Sequence, residues 1–467
     1  MFESILSTLK GWWNKMIGRD EIKRLTGSDP AVSAAMSQAL TRWAAMYENR
    51  APWLKDGEIF SLGLPAAIAS ELARSVTIEM AVEVEGSARA DYLNAELSRW
   101  LDDVRTYMEY GAALGGVIFK PYVSDDKLMI DTVRADAFYP LAFNGNGEIT
   151  SVAFTDRRKV RDTFYTKLEI HAIENGVYTI RNQAYKSNYE GSIGSRVPLS
   201  VISDWETLQE SAIVEGVDKL LMAYFRNPGA NTIDPSSSIG ISCYAKVENL
   251  IEQADKLYSG LLWEFESGQR ALYADVVAFD IRSDGTPVLP NKRLYRALNN
   301  KGSSVEDNDL FHEWTPTLRE QNFINGINTQ LRKIEFNCGL SYGTLSDPET
   351  VARTATEITI SKQRTYATIR DTQKALQYAI DDLLQAMDTF ATMYKMAPKG
   401  AYSATYQFDD SVIVDRNAQM QQDLQLLTAG VISKEEFRMR NFGEKEEVAK
   451  AAVAALGVTG GLFPDEE

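Results

Sequence analysis

An α+β fold in which helix predominates follows from three features of the sequence. Apolar residues recur at three- and four-residue spacing through roughly the first hundred residues and again from 243 to 394. A block from 117 to 183 instead breaks into short β-prone runs separated by turn residues. Between two of the strongest helical stripes lies a short mixed segment with a strand signal of its own. A chain of 467 residues is long for one core, at roughly 150 residues per domain.

The elements follow in order. Leu64, Ile68, Leu72 and Val76 form one i, i+4 stripe; Leu93, Leu97, Trp100, Leu101, Val104 and Met108 form another over 89–114, ending in a loose Gly111–Gly116. The period then changes to strands at Val117–Tyr122, Leu128–Val133, Ile149–Thr155, Thr163–Ala172 and Val177–Arg181. Turns at Ser124-Asp125-Asp126, Asn144–Gly147 and Glu174-Asn175-Gly176 make an antiparallel set of hairpins the expectation. Loose stretches at 184–200 and Asn227–Ser238 precede a helix whose stripe runs Val247, Leu250, Ile251, Ala254, Leu257, Tyr258, Leu261, Phe265.

From 272 to 316 the sequence predicts a small α/β unit, with a strand at Val276–Phe279, a turn at Ser283–Thr286 and a polar loop at 299–309. A second helix, from Leu318 to Cys338, carries Phe323, Ile324, Ile327, Leu331 and Ile334 on one face. After a loop at Gly339–Arg353, Thr354-x-x-Glu357 has capping-box form. The helix it opens carries Ile369, Leu376, Ile380, Leu383, Met387, Phe390 and Tyr394, uninterrupted until Pro398. A last capping box, with a hydrophobic staple between Ile432 and Phe437, opens at Ser433-x-x-Glu436. A polar tail follows Gly457.

Charge and composition exclude several classes of function. The 65 Asp plus Glu against 49 Lys plus Arg give a net charge of -16, which repels polyanions unless contact is confined to a local patch. Cys243 and Cys338 offer neither a disulfide framework nor a metal spacing. The N-terminus lacks the basic and continuous apolar regions of a signal peptide. No apolar run is long enough to span a bilayer. Synthesis in a reducing cytoplasm is the expectation.

His171 and His312 lack partners at ligand spacing and are read as structural. The chain has no GxSxG elbow, Walker A motif or GxGxxG. The acidic pairs Asp102-Asp103, Asp125-Asp126 and Asp381-Asp382 could in principle serve a two-metal site, but Asp381-Asp382, adjacent on a helix with no basic partner at nuclease-like spacing, reads as a solvated helix face. Trp12, Trp13, Trp43 and Trp53 read as core or contact residues. No catalytic residue, cofactor or metal site is expected. A part in a larger assembly fits better than an enzyme.

Three stretches carry a resemblance. The first is Ile239-Gly240-Ile241-Ser242-Cys243-Tyr244-Ala245, leading into the helix ending Trp263-Glu264-Phe265-Glu266-Ser267-Gly268-Gln269-Arg270. The second is Asn328-x-x-Leu331-Arg332-Lys333-Ile334-Glu335-x-x-Cys338-Gly339-Leu340-Ser341-x-Gly343-Thr344. The third is Arg353-Thr354-Ala355-Thr356-Glu357-Ile358, followed by Ser361 and Thr365-Tyr366-Ala367-Thr368. In this order around a small central unit, the chain resembles the portal proteins of tailed bacteriophages, in particular those of long-tailed phages. The resemblance covers residues 20 to 445.

The resemblance implies a portal-type fold: an N-terminal helical region and sheet wing (1–238), stem helices (239–270 and 317–338) around a clip (271–316), a tunnel loop (339–353), a long wing helix (354–397) and a helical crown with tail (398–467). It implies a homo-oligomeric ring, of twelve subunits or thirteen, at one vertex of the virion capsid. Double-stranded DNA would pass through its channel during packaging and ejection. The partners implied are the terminase large subunit, capsid and scaffolding proteins and a head-tail connector, with no membrane. Ser341, Gly343, Thr344, Ser346, Asp347, Glu349, Thr350 and Arg353 would line the channel. Arg282, Asp284, Lys292, Arg293, Lys301 and Asp307 would form the clip's partner surface.

The loop is expected to be a flexible segment between rigid helices, touching DNA sterically and not by gripping phosphates. Replacing Asp347 and Glu349 with Lys should then stall translocation in a salt-relieved way. Two other readings stay open: a metal-dependent phage nuclease or other phage enzyme, and a smaller head-tail connector ring.

Overall fold

The computed structural model describes residues 19–54, 56–124, 127–174, 176–189, 192–275, 279–283, 286–290, 294–298, 311–348, 355–408, 416–444 and 446–458. The chain begins with helices α1 (Arg19–Thr26), α2 (Ala34–Tyr47) and α3 (Leu64–Thr77), strand β1 (Met80–Glu85), α4 (Ala88–Leu101) and α5 (Val104–Leu114). Nine strands follow: β2 (Gly116–Ser124), β3 (Lys127–Arg134), β4 (Phe138–Phe143), β5 (Ile149–Val160), β6 (Thr163–Glu174), β7 (Val177–Ser187), β8 (Ser195–Val197), β9 (Ser211–Val214) and β10 (Ala223–Arg226). Next come α6 (Glu248–Ser267), β11 (Ala271–Asp275), β12 (Tyr295–Leu298), β13 (Phe311–Trp314), α7 (Glu320–Cys338), α8 (Ala355–Met393) and β14 (Ser403–Phe408). Helices α9 (Arg416–Thr428), α10 (Lys434–Phe442) and α11 (Glu446–Val458) end the described chain. The predominantly helical α+β class is as the sequence predicts.

Two compact units result, Met1–Ile78 with Val82–Tyr406 and Glu79–Ala81 with Gln407–Glu467. In the first, α2 starts where the Ser33 hydroxyl accepts the Met36 N–H at 3.2 Å, and α4 starts on Ser87 in the same way. The run read as one helix over 89–114 is two, broken at Asp102-Asp103, a pair of poor helix formers. The break lets Trp100 stack on Tyr107 and meet Phe119 edge-on, with centroids 5.7 and 4.7 Å apart.

The segment read as loose at Gly111–Gly116 is tightly packed. Gly115 has φ +87, and a Cβ on it would lie 2.4 Å from the Gly240 carbonyl oxygen, so only glycine allows the two backbones to meet. Asn227–Ser238 is likewise held and not loose. Asn231 Oδ1 accepts the Ile233 and Asp234 N–H groups, and the Asp234 carboxylate accepts the Ser33 N–H. Short polar side chains next to Gly and Pro read as a loop in sequence, yet here they saturate buried backbone.

The hairpin block forms two sheets and not one. β10 returns from a distance to pair antiparallel with β2, which pairs with β3 on its other edge. The second sheet runs β4-β5-β6-β7-β8, with β9 also on β7. A buried ionic cluster ties the sheets: Lys120 Nζ on β2 lies 2.8 Å from Glu169 Oε1 on β6, with Lys167 at 3.1 Å from Oε2. His171 is bonded on both ring nitrogens, to Glu169 and to the Tyr178 hydroxyl, each at 2.6 Å. Burial pushes the Glu169 carboxyl up, but Lys120, Lys167 and His171 outweigh it and hold the group well below the usual range. Burial lowers the His171 pKa.

α8 carries Ile369, Leu376, Ile380, Leu383 and Met387 fully buried, and its 39 residues span about 58 Å. Arg89, itself buried, closes this helix: its guanidinium donates to the carbonyls of Asp388, Ala397 and Pro398 and lies 3.1 Å from the Asp388 carboxylate. In the second unit, Ser433 caps α10 through the Glu436 N–H at 3.1 Å. The Asp423 carboxylate on α9 accepts from Asn441 at 2.9 Å.

Candidate functional site

The site with most built geometry is the hairpin of α6 and α7 and the loop that follows it. The antiparallel helices pack closely where glycines let them approach: a Cβ on Gly260 would lie 2.9 Å from the Phe323 ring, and one on Gly268 would lie 2.2 Å from Leu318 Cδ2. At the far end the Glu264 carboxylate accepts from Arg319 three times, from the backbone N–H at 3.0 Å, Nε at 3.1 Å and Nη2 at 2.7 Å. Those bonds hold Glu264 below its ordinary range. At the near end, buried Asp255 accepts from Trp53 Nε1 at 2.9 Å and the Leu62 N–H at 2.8 Å, fixing α6 to the N-terminal region. Burial raises the Asp255 pKa.

Between the helices lies a three-stranded sheet. β11 is central, parallel to β12 and antiparallel to β13, with Tyr273 opposite both Arg296 and His312. The described strand here is β11 at Ala271–Asp275, directly off the α6 terminus; of the strand expected at Val276–Phe279, Val276–Ala278 lie outside the described residues. β12 and β13 were not anticipated, and among the described residues of 271–316 there is no helix. Where a turn is expected at 283–286, the flanking residues pair through an Ile281–Pro287 bridge and an Arg282 N–H to Thr286 carbonyl bond of 2.9 Å. Arg282 is exposed; Asp284, Lys292, Arg293, Lys301, Asp307 and the 299–309 loop lie outside the described residues.

α7 ends on Gly339 at φ +74, where a Cβ would lie 2.3 Å from Thr368 Oγ1 of α8. The loop beyond it, expected to be flexible, is instead assembled around one carboxylate. Glu335 is 0% exposed. Its Oε1 accepts the N–H groups of Gly343 at 3.1 Å, Leu345 at 2.6 Å and Ser346 at 2.8 Å, and its Oε2 accepts the Ser346 hydroxyl at 2.9 Å. Asn328 Oδ1 takes the Asp347 N–H at 3.1 Å, and Ser341 Oγ meets Thr365 Oγ1 of α8 at 2.7 Å.

Of the residues expected to line a channel, Ser346 is therefore a correction: it is buried against Glu335. Thr344 and Asp347 are exposed, Ser341 and Gly343 partly so. Glu349, Thr350, Arg353 and the Thr354–Glu357 capping box fall outside the residues whose side chains are described. Sequence reasoning named Glu335 and Asn328 only as part of the resemblance and gave them no role in the loop. The signal was present, since Asn328, Leu331, Glu335 and Cys338 share one buried α7 face at spacings of three and four residues.

The hairpin also carries apolar surface that it does not cover. Trp263 is 65% exposed, Phe265 46%, Ile324 37% and Phe336 48%, the last with the Arg364 guanidinium 3.9 Å from its ring centroid. Phe265 and Ile324, read as stripe positions, thus point away from the helix pair. Among the described residues no three His, Cys, Asp or Glu side chains converge as a metal requires, and no helix is long and apolar enough to cross a membrane. Asp382 meets Lys219 at 3.3 Å and Asp381 accepts from the Tyr406 hydroxyl at 2.5 Å, which occupies that acidic pair structurally.

Residues 97–454 match the family model described as phage portal protein, SPP1 Gp6-like. No curated protein sequence matches the chain. Among solved structures, the chain is similar at 10% identity and a TM-score of 0.43 to one from the neck of a native GTA particle computed with C12 symmetry, covering 91% of this chain and 98% of that one. A chain from the neck of an empty GTA particle computed with C6 symmetry matches with the same identity and coverage and a TM-score of 0.41.

Proposed function

The chain belongs to the SPP1 Gp6-like family of phage portal proteins, and from that premise we propose that it closes into a ring of twelve copies through which double-stranded DNA enters and leaves a phage capsid. The family is structural and not enzymatic, and a ring of portal subunits at a virion vertex follows from membership. The α6–α7 hairpin is the stem, the β11–β13 sheet the clip that meets terminase and later a head-tail connector, and the 339–348 loop part of the channel wall. Residues 1–238 with α8 are the wing, and α9–α11 the crown.

One observation carries this reading: two antiparallel helices bracket a small sheet, and the second ends in a hydrogen-bonded loop that precedes a 39-residue helix. The exposed Trp263, Phe265 and Ile324 support ring closure, because a cyclic interface buries one face of each copy against a different face of the next. The acidic balance supports passage, because a wall rich in Lys and Arg would accumulate phosphate contacts and act as a brake.

Asp347→Lys tests the channel reading. Each copy would add one cation to the wall, and each phosphate contact contributes roughly -0.9 to the slope of log affinity against log salt. Rings should still assemble while packaging slows at low salt and recovers as salt is raised. Unaltered packaging at low salt refutes a channel position for this loop.

A further inference from the structure

A carboxylate in the last turn of a helix faces the unsatisfied carbonyls of that terminus, which disfavour negative charge. Glu335 sits there, three residues before the end of α7, with none of its surface exposed. What accommodates it is the loop itself. Gly343, in the left-handed region at φ +86, turns the chain so that the N–H groups of residues 343, 345 and 346 converge on one oxygen, a backbone nest of the kind that binds anions. The Ser346 hydroxyl takes the other oxygen, so both carboxylate oxygens are engaged by the loop. Asn328, two turns earlier on the same face of α7, takes the next N–H, that of Asp347.

We propose that Glu335 is the positioning residue of the channel wall: its buried carboxylate locks Gly343–Ser346 to α7, so that stem helix and loop move as one body and present Thr344 and Asp347 to DNA at a fixed place. The proposal rests on the reading of this loop as channel wall. It differs from a freely mobile loop in one respect: residues 343–346 cannot move toward or away from DNA without carrying α7 with them. Glu335 itself touches no DNA; it acts through the backbone it holds.

The test uses assembled rings of the full chain, wild-type and with Glu335→Ala or Glu335→Gln. Hydrogen–deuterium exchange reads the anchor without reference to DNA. The amides of 343, 345 and 346 should be protected in the wild type and should exchange roughly tenfold faster or more in Glu335→Ala, with a smaller rise in Glu335→Gln, which keeps the shape and one carbonyl acceptor. Wild-type amides exchanging at the rate of an unstructured peptide overturn the proposal even if neither variant assembles.

A photo-crosslinking p-benzoylphenylalanine at position 344 then reads position in particles packaged with DNA. The proposal expects cross-links in the otherwise wild-type ring and a several-fold lower yield with Glu335→Ala. Equal yields with and without Glu335 overturn the positioning role. Absence of cross-links in the otherwise wild-type ring, with amide protection intact, refutes the channel reading while the anchor stands, so the two failures are distinguishable.

Discussion

Gly339→Ala tests the elbow between α7 and α8 through two separable costs. The residue sits at φ +74, and a left-handed conformation costs a residue with a β-carbon about 1–2 kcal/mol. The new Cβ would also lie 2.3 Å from Thr368 Oγ1 and 3.3 Å from its Cγ2, overpacking that costs typically 1–3 kcal/mol to relieve. Together the substitution should cost about 2–5 kcal/mol, a large share of the ~5–15 kcal/mol by which proteins are usually stable. Thr368→Ala removes Oγ1 and Cγ2 and leaves only Cβ, 3.2 Å away, so in that background Gly339→Ala should keep the conformational cost of about 1–2 kcal/mol and lose most of the overpacking.

The assay is urea unfolding of the four members of the cycle, followed by tryptophan fluorescence, with the coupling read as the difference between the two Gly339→Ala effects. A coupling of about 1–3 kcal/mol is expected. A single substitution costing under about 0.5 kcal/mol, the size of an ordinary surface change, would refute the close packing of the α7 terminus on α8.

Other outcomes follow from the same contacts. Arg89→Ala should destabilise the first unit by about 3 kcal/mol, because it frees the carbonyls of Ala397 and Pro398 and strips a buried cation from Asp388; thermal melting of the purified chain checks it. The Glu264 carboxyl is held below its ordinary value of 4.5 by Arg319, so the contribution of the pair is present above that value and is lost as pH falls through the lower folded value. Proteolysis between α6 and α7 should therefore rise as pH falls below 4.5, an acid-dependent step that Arg319→Ala should remove. A cleavage profile that keeps its acid step without Arg319 would contradict this assignment.

Much of the fold was legible because it rests on local periodicity. The stripe from Val247 to Phe265 became α6 at Glu248–Ser267, and that from Leu318 became α7 at Glu320–Cys338. Ser433 and Glu436 marked the start of α10 through a cap that needs only four residues to form. The division of the strands into two sheets was not legible, because β10 reaches β2 from a hundred residues away and no local pattern encodes that pairing.

The loop was misread for a related reason. Gly339 and Gly343 read as freedom when taken alone, whereas the group that removes the freedom, Glu335, reads as one more charge on a helix surface. Only its place on the buried face with Leu331 and Cys338 set it apart. A charge at such a position requires partners, and the nearest unpaired donors were the N–H groups of the following turn. Phe265 and Ile324 show the converse: the periodicity puts them on an apolar helical face, but it does not say what covers that face, and the single chain leaves them exposed.

Cryo-electron microscopy of the purified full chain tests the central claim most directly. The account predicts closed rings with an axial hole, α6 and α7 sloping beside it, and Thr344 and Asp347 on its wall. Monodisperse monomers, or rings in which residues 341–347 face away from the axis, would contradict it.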